Sequence, residues 1–152
     1  MKVTADQIRK LREKTGAPMV RVKKVLVEVK GDDQKAEKIL KKEGFEKAGK
    51  RGERETSQGL IETYVHHSGK VASVVELLCE TDFVARNKLF RELAHNLTLQ
   101  VASMGAKDAK ELGKQEFIRD PSKKISDLVR EVITKTGENI RIGRIFRIEL
   151  GK

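Results

Sequence analysis

Metal binding or nucleophilic catalysis would need histidine, cysteine, serine or carboxylate side chains in close groups, and this sequence offers few. The histidines are His66, His67 and His95, and Cys79 is the single cysteine. His66 and His67 are neighbours in a predicted strand, so we expect their side chains on opposite faces, which disfavours a shared metal. Cys79 lies in an apolar run, where a small buried thiol is more typical than a reactive one. No carboxylate joins a histidine, serine or cysteine in a recognisable catalytic pattern, so we expect neither an enzyme nor a metal site.

Residues 44–51 come close to a phosphate-binding loop. That pattern requires Ser or Thr after the lysine to hold magnesium, but Arg51 follows Lys50 here. It also requires a preceding strand, whereas a helix is predicted before Gly44. We interpret the match as accidental and expect no nucleotide or other cofactor.

The charge balance indicates an anionic partner without naming it. Thirty-three Lys and Arg against 23 Asp and Glu give a net charge of +10, which favours RNA, anionic lipid or an acidic protein. RNA platforms usually add exposed aromatic side chains to a basic groove, and only 4% of this chain is aromatic. We therefore do not expect nucleic acid as the main partner. An RNA- or ribosome-binding accessory protein is the alternative hypothesis.

Targeting and redox signals are sparse. No apolar run approaches the roughly 18 residues of a membrane span, and the N-terminal residues lack a secretory pattern. The single cysteine excludes an intrachain disulfide. We expect a cytoplasmic protein with no membrane partner.

The apolar spacing predicts three short helices in residues 1–44. Thr4 or Asp6 can cap the first, Pro18 suits the first turn of the second, and Asp32 or Asp33 can cap the third. Three short helices in about 44 residues are near the lower size limit of independent folding. The change of period after the charged segment that follows predicts that they form a separate helical domain.

Gly44 is expected to end the third helix. Residues 45–57 are charged and contain glycine, so they are predicted to form a linker, with partial helical structure left open. Beyond it, strands are predicted at 60–67 and 70–80 with a turn at Ser68-Gly69. A helix at 123–136 and a strand at 140–150 complete an α+β core over residues 58–152, with a small antiparallel sheet of about three strands packed by helices.

The strand faces can also be predicted. The second strand is apolar on both faces, so it should be central in the sheet. The last strand alternates, which predicts one half-buried apolar face formed by Ile140, Ile142, Phe146, Ile148 and Leu150.

The most informative junction lies between the second strand and the following helix. Thr81 and Asp82 can cap that helix, and Phe83 then lies in its first turn. A large ring at such a position either packs into the core or binds in a pocket of a partner. Spacing alone does not separate these two readings.

The string at this junction, Glu-Leu-Leu-Cys-Glu-Thr-Asp-Phe-Val-Ala-Arg at 76–86, resembles the Thr-Asp-Phe-Val signature of the elongation factor Ts family. The resemblance extends to Leu-Arg-Glu-Lys-Thr-Gly-Ala-Pro-Met at 11–19 and Thr-Gly-Glu-Asn-Ile at 136–140. It spans nearly the whole chain in order.

This resemblance implies a function. Members are guanine nucleotide exchange factors of elongation factor Tu, with no covalent chemistry of their own and with an N-terminal ubiquitin-associated-like helical domain. The junction that carries Asp82 and Phe83 is expected to disturb magnesium binding in the partner and release GDP, while the core contacts a second partner domain. A homodimer is left open. By resemblance, the residues that contact elongation factor Tu are Thr81, Asp82, Phe83, Val84, Arg86, Arg12, Met19 and Val20.

Overall fold

The computed structural model describes residues 2–152. It belongs to the α+β class, as predicted from the sequence. Its helices are α1 (Ala5–Thr15), α2 (Met19–Glu28), α3 (Asp33–Lys50), α4 (Asp82–Ala85), α5 (Lys88–Met104), α6 (Ala109–Lys114) and α7 (Ile125–Thr136). Its strands are β1 (Gln58–Val65), β2 (Val71–Cys79), β3 (Glu116–Phe117), β4 (Asp120–Lys124) and β5 (Ile140–Glu149). No helix in this part of the chain is long and apolar enough to cross a membrane.

The first three helices pack around a small apolar core, which confirms the predicted helical region. At the start of α1, Thr4 accepts a hydrogen bond from the Gln7 amide while the Gln7 side chain accepts one from the Thr4 amide. This reciprocal capping satisfies two amides that would otherwise lack partners. Gly16 ends α1 at φ +69°, a left-handed conformation that glycine adopts without strain. The core is formed by Leu11, Val22, Val25, Leu26, Ala36 and Leu40.

The predicted end of the third helix at Gly44 is wrong, because α3 continues to Lys50. Gly44 is a contact position: a Cβ built there would lie 2.6 Å from Cγ2 of Thr134 in α7. The Arg130 guanidinium, also on α7, lies 5.9 Å from the centroid of the Phe45 ring. Residues 45–50 of the predicted linker are therefore helical and packed on the core. The division into domains at 1–44, 45–57 and 58–152 stays a prediction, and Met1 lies outside the described residues.

The main sheet has the strand order β1-β2-β5 and is antiparallel throughout. The central position predicted for the second strand is confirmed. The hairpin turn also lies where predicted, with Gly69 at φ +71° and its amide donating to the His66 carbonyl at 2.8 Å. Helix α5 covers one face of this sheet, and the larger core lies between them. Its buried members include Val75, Leu77, Cys79, Phe90, Leu97, Val101, Ile125 and Ile140.

The expected placement of His66 and His67 on opposite strand faces is wrong. β1 ends at Val65, so both histidines lie in the turn, where strand alternation no longer applies. Their ring centroids are 4.1 Å apart, and the His66 Nδ1 atom is 2.8 Å from the Ser68 hydroxyl. Within residues 2–152, no group of three or more His, Cys, Asp or Glu side chains is placed to hold a metal ion.

The prediction that one face of the last strand is buried throughout is wrong for its second half. The register shifts between the pairs Val75–Ile145 and Leu77–Ile142, so β5 carries one extra residue opposite Glu76. Such a bulge reverses the side-chain alternation beyond it. Ile140 is buried and Ile142 packs on the core, but after the bulge Ile145 takes the inner face. The apolar side chains that are exposed after the bulge are Phe146, Ile148 and Leu150.

The bulge leaves an apolar surface on the side of the sheet that α5 does not cover. Cross-strand pairs share a face of a sheet, and the register aligns Val65, Ala72 and Ile148 in one row and Thr63, Val74 and Phe146 in the next. Ile61 extends this surface along β1. We call it the open face, formed by Ile61, Thr63, Val65, Ala72, Val74, Phe146 and Ile148.

The segment between α5 and α7, where the sequence pattern is weak, contains α6 and the short hairpin of β3 and β4. A buried amide holds it. Gln100 donates to the Gln115 side chain and the Glu116 carbonyl, both at 3.0 Å, and its oxygen accepts from the Ile118 amide at 3.0 Å. The side-chain nitrogen and oxygen of Gln100 are thus both hydrogen-bonded to this segment, and these bonds stabilise an otherwise irregular part of the chain.

Candidate functional site: the corner after β2

The residues Thr81–Arg86, which we call the corner, connect β2 to α5 and present one large apolar side chain to solvent. Phe83 is 90% exposed, whereas the next two residues, Val84 and Ala85, are 8% and 6% exposed and belong to the core. The corner is therefore anchored through its second half while the ring points outward. The reading in which Phe83 packs in the core is excluded.

Two helices, rather than one, follow β2. Thr81 caps the four-residue helix α4, since its side chain accepts a hydrogen bond from the Val84 amide. α5 starts separately after Asn87, whose side chain accepts from the Leu89 amide at 2.8 Å. The prediction that Phe83 lies in the first turn of α5 is wrong because Asn87 starts a new helix. Phe83 lies instead in a short helix of its own.

Contacts with a distant part of the chain hold the start of the corner. The Thr81 amide donates to Oε1 of Glu138 at 2.9 Å, and its hydroxyl donates to Oε2 at 2.6 Å. The preceding residue, Glu80, accepts from the Asn139 amide at 2.7 Å. Glu138 and Asn139 belong to the turn between α7 and β5, so two consecutive residues of that turn are bonded to the end of β2.

Cys79, at the end of β2, supports the start of the corner and has no reactive character. Its thiol donates to the Thr81 carbonyl at 3.1 Å. Burial raises the pKa of the Cys79 thiol to about 11, so it stays protonated at neutral pH. A protonated thiol is a weak nucleophile and a poor metal ligand, and the predicted structural role of Cys79 fits its environment.

The charged residues of the corner pair with each other. Asp82 and Arg86 form an ion pair one helical turn apart, with side chains 56% and 80% exposed. Exposed pairs of this kind contribute about 0–1 kcal/mol. Both groups can therefore exchange this pairing for contacts with a partner at little cost.

The other predicted contact residues lie on the helical region. Met19 is 55% exposed and Val20 is 82% exposed at the start of α2. Arg12 and Met19 border a depression of about 560 Å³ between α1 and α2. This set and the corner lie on separate elements, and among the described residues no hydrogen bond or ion pair joins them directly. The structure therefore does not link the two sets by a direct polar contact.

Basic residues border a further depression, of about 660 Å³, beside the first half of α5. Only one acidic side chain, Glu92, is among those that line it. The basic or titratable residues of this surface, which we call the basic depression, are Arg86, Lys88, Arg91, His95 and Arg119.

The near-match to a phosphate-binding loop has the wrong local structure. Residues 44–50 lie within α3, so most of their amides make helical hydrogen bonds. A loop that cradles phosphate needs such amides free and converging. No phosphate site is built there.

Sequence reasoning missed Glu138 and Asn139 as supports of the corner. Asn139 is 4% exposed, and a buried amide beside a glycine turn must find polar partners. The run Thr136–Ile140 was a signal that could have found them, although its contact with Thr81, 57 residues away, is not visible in local spacing.

The comparisons with known proteins bear on this geometry. A family model described as "Elongation factor TS" matches residues 80–152, which include the corner and the turn that holds it. A protein named elongation factor Ts from Thermotoga neapolitana is 40% identical over 195 aligned positions, which cover 100% of this chain and 99% of that protein. The chain belongs to the elongation factor Ts family. Elongation factor Ts from Thermotoga maritima is 38% identical to this chain, in an alignment that covers 100% of this chain and 98% of that protein.

Longer members of the family exist. Elongation factor Ts from Clostridium botulinum is 41% identical over 150 residues, which cover 99% of this chain but 49% of that protein. The chain thus spans about half the length of these Clostridium relatives. The Thermotoga alignments run over 195 positions although this chain has 152 residues, so those family members carry additional segments.

Proposed function

We propose that this chain binds elongation factor Tu loaded with GDP and accelerates GDP release, so that GTP can replace it. It does so as a translation elongation factor of the cytoplasm, without covalent chemistry. The observation that carries the proposal is the ring of Phe83, which is 90% exposed on a corner otherwise fastened to the core. A large apolar side chain held outward is the usual form of an interface anchor.

The corner acts on the partner through shape and charge. Phe83 inserts between helices of the nucleotide domain and displaces the elements that hold magnesium, while Asp82, Thr81 and Arg86 contact the partner around it. Val84, which is buried in the core, supports this contact from inside the chain. Without magnesium the diphosphate charge is less compensated, and GDP leaves faster. Because linkage is reciprocal, GDP weakens binding of this chain by the same factor as the chain weakens binding of GDP.

The helical region supplies a second contact. Met19 and Val20 are exposed apolar side chains beside the depression between α1 and α2, and Arg12 at its rim can pair with an acidic group. We assign these three residues to the nucleotide domain of the same partner. Two separate contacts raise the affinity without requiring either one to be large.

The open face gives the chain a surface for self-association. Soluble monomers rarely leave a large contiguous apolar patch exposed, and here Ile61, Val65, Phe146 and Ile148 are 57–72% exposed. Two copies related by a two-fold axis can pack these faces together as two stacked sheets. We propose this homodimer as the assembled form.

Release of a fluorescent GDP analogue from purified elongation factor Tu tests the proposed function. Adding this chain should raise the release rate in a saturable manner, and GDP should weaken binding of the chain by the same factor by which the chain weakens binding of GDP. Equal affinity of the chain for GDP-loaded and nucleotide-free partner would contradict the exchange mechanism.

The basic depression favours one alternative function, that of an RNA- or ribosome-binding accessory protein. Arg86, Lys88, Arg91 and Arg119 border it together with a single carboxylate. Phosphate contacts release counterions, so RNA binding through this surface would weaken steeply with added salt. Exchange driven by an apolar ring should depend on salt much less. Titrations with a structured RNA and with elongation factor Tu, each at several salt concentrations, separate the two functions.

A further inference from the structure

The ring of Phe83 is presented by a helix too short to hold itself. α4 has four residues, and a single helical turn is unstable in isolation because nucleation fixes several residues for one hydrogen bond. The position of Phe83 must therefore be set by contacts at the ends of α4. At the C-terminal end, Val84 and Ala85 pack into the core. At the N-terminal end, Thr81 provides the cap.

Glu138 determines how Thr81 can cap. Its carboxylate accepts from both donors of Thr81, the amide at 2.9 Å and the hydroxyl at 2.6 Å. With its hydrogen directed to Glu138, the Thr81 oxygen keeps its lone pairs for the Val84 amide, 3.4 Å away. Carboxylate acceptors make stronger hydrogen bonds than neutral ones. One carboxylate therefore fixes both the backbone and the side chain of the capping residue.

The turn that carries Glu138 is itself held from the other side. Asn139 donates its side-chain amide to the Arg54 carbonyl at 2.9 Å, and Arg54 lies 3.5 Å from Glu80. Arg51, at the end of α3, donates to the Ile133 carbonyl in α7 at 3.2 Å. The segment after α3, the turn after α7 and the corner thus form one connected set of hydrogen bonds.

We infer that Glu138 is a positioning residue for nucleotide exchange, which acts through Thr81 to hold Phe83 in the orientation that enters the partner. This role rests on the proposed function. Glu138 itself need not touch elongation factor Tu. Loss of its carboxylate should leave the complex able to form, because the helical region still binds, but should slow GDP release within it.

The variant Glu138→Gln tests this inference, with Glu131→Gln as the matched control. Each oxygen of the Glu138 carboxylate accepts from one Thr81 donor, and glutamine has only one acceptor oxygen. Glu131 is a carboxylate of α7, paired with Lys123 at 2.9 Å and not bonded to Thr81. We expect the saturating rate of GDP release to fall on the order of tenfold in Glu138→Gln, as for loss of one charge-assisted hydrogen bond. The half-saturating concentration should change little, and Glu131→Gln should behave like the unmodified chain.

A double-mutant cycle with Phe83→Ala distinguishes positioning from general stability. If Glu138 acts through the ring, Glu138→Gln should have no further effect on the saturating rate once the ring is gone. An equal additional loss in both backgrounds, or a wild-type rate in Glu138→Gln alone, would overturn the inference.

Failure of the proposed function would look different. In that case even the unmodified chain would not accelerate release of GDP from elongation factor Tu. Hydrogen exchange of the Val84 amide, which faces the Thr81 hydroxyl, then still tests the contact without any partner. It should be faster in Glu138→Gln than in Glu131→Gln, and equal exchange in the two would show that Glu138 does not hold the corner.

Discussion

The corner and the open face both expose apolar side chains, but they are built in different ways. The corner shows one ring on a four-residue helix that distant hydrogen bonds hold in place. The open face spreads several side chains over three strands whose regular ladder already fixes them. A single held ring concentrates binding energy and orientation in one residue, whereas a broad sheet face adds small contributions by area. We therefore expect the first to drive a conformational change in a partner and the second to drive assembly.

The largest expected effect is at the ring. Phe83→Ala should slow GDP release by about 30-fold or more, which corresponds to the roughly 2 kcal/mol of an interface hot spot. The thermal midpoint should stay nearly unchanged, because the side chain is 90% exposed. Phe146→Ala, which removes the same ring from the open face, is the matched control and should leave the release rate near normal. A large fall in the melting temperature of the Phe83 variant would show that the ring supports the fold instead.

A charge on the open face should break self-association. Ile148 is 72% exposed at one end of the row that it forms with Ala72 and Val65. Ile148→Glu should weaken the dimer at least about tenfold, because burying an unpaired carboxylate in an apolar interface is costly. Sedimentation velocity at several concentrations measures the shift. Val27→Glu, at a 60% exposed position of α2, serves as the control, and a monomeric wild type at high concentration would contradict the proposed dimer.

The contact between α3 and α7 bears on the corner, because α7 leads into the turn that holds it. Gly44→Ala places a methyl group 2.6 Å from Cγ2 of Thr134, whose rotamer is fixed by its hydrogen bond to the Arg130 carbonyl at 2.8 Å. The strain should exceed the gain in helix propensity and lower the free energy of unfolding by about 1 kcal/mol.

Gly49→Ala, in the same helix, provides the matched control for this change. Apart from its chain neighbours and the backbone of its own helix, nothing lies within 4 Å of the added methyl group, so the variant should be stabilised by about 0.5–1 kcal/mol. Urea denaturation of both variants measures the difference. A stabilised Gly44 variant would indicate that α3 and α7 are not closely packed.

The smallest effect concerns the bulge that shapes the open face. Hydrogen bonds from the Arg144 side chain and backbone hold the pKa of Glu76 below its usual value of 4.5. A carboxyl with a lowered folded-state pKa contributes stability above the unfolded pKa and loses it as pH falls through the folded value. The melting temperature of the wild type should therefore fall more steeply below pH 4.5 than that of Glu76→Gln. Parallel acid profiles would mean that the pair adds nothing to the bulge.

The sequence predicted the helical region, the hairpin and the central strand well because each depends on local periodicity and capping. It failed where tertiary contacts override local signals. Gly44 predicts a helix end when the local sequence alone is considered. In the structure, its missing side chain instead allows Thr134 of α7 to pack closely against α3. The alternation of β5 reads as one continuous face, yet a single extra residue opposite Glu76 reverses it.

The candidate site was predictable in part. The residue types around Thr81–Arg86 were found from their resemblance to the family, but spacing could not tell whether Phe83 was exposed. The supporting residues Glu138 and Asn139 could not be found from local patterns, since their contacts span more than fifty residues of chain. Exposure and long-range hydrogen bonding are properties of the folded chain.

The 57-residue separation between Thr81 and Glu138 also sets an order of events during synthesis. Chains grow at about 5–20 residues per second, so Glu138 is made roughly 3–11 s after Thr81. During that interval β1 and β2 can already pair as a hairpin, but the second edge of β2 has no neighbour and the ring of Phe83 has no fixed direction. Under the proposed function, the chain should hold the ring in the orientation that acts on elongation factor Tu only after β5 has left the ribosome.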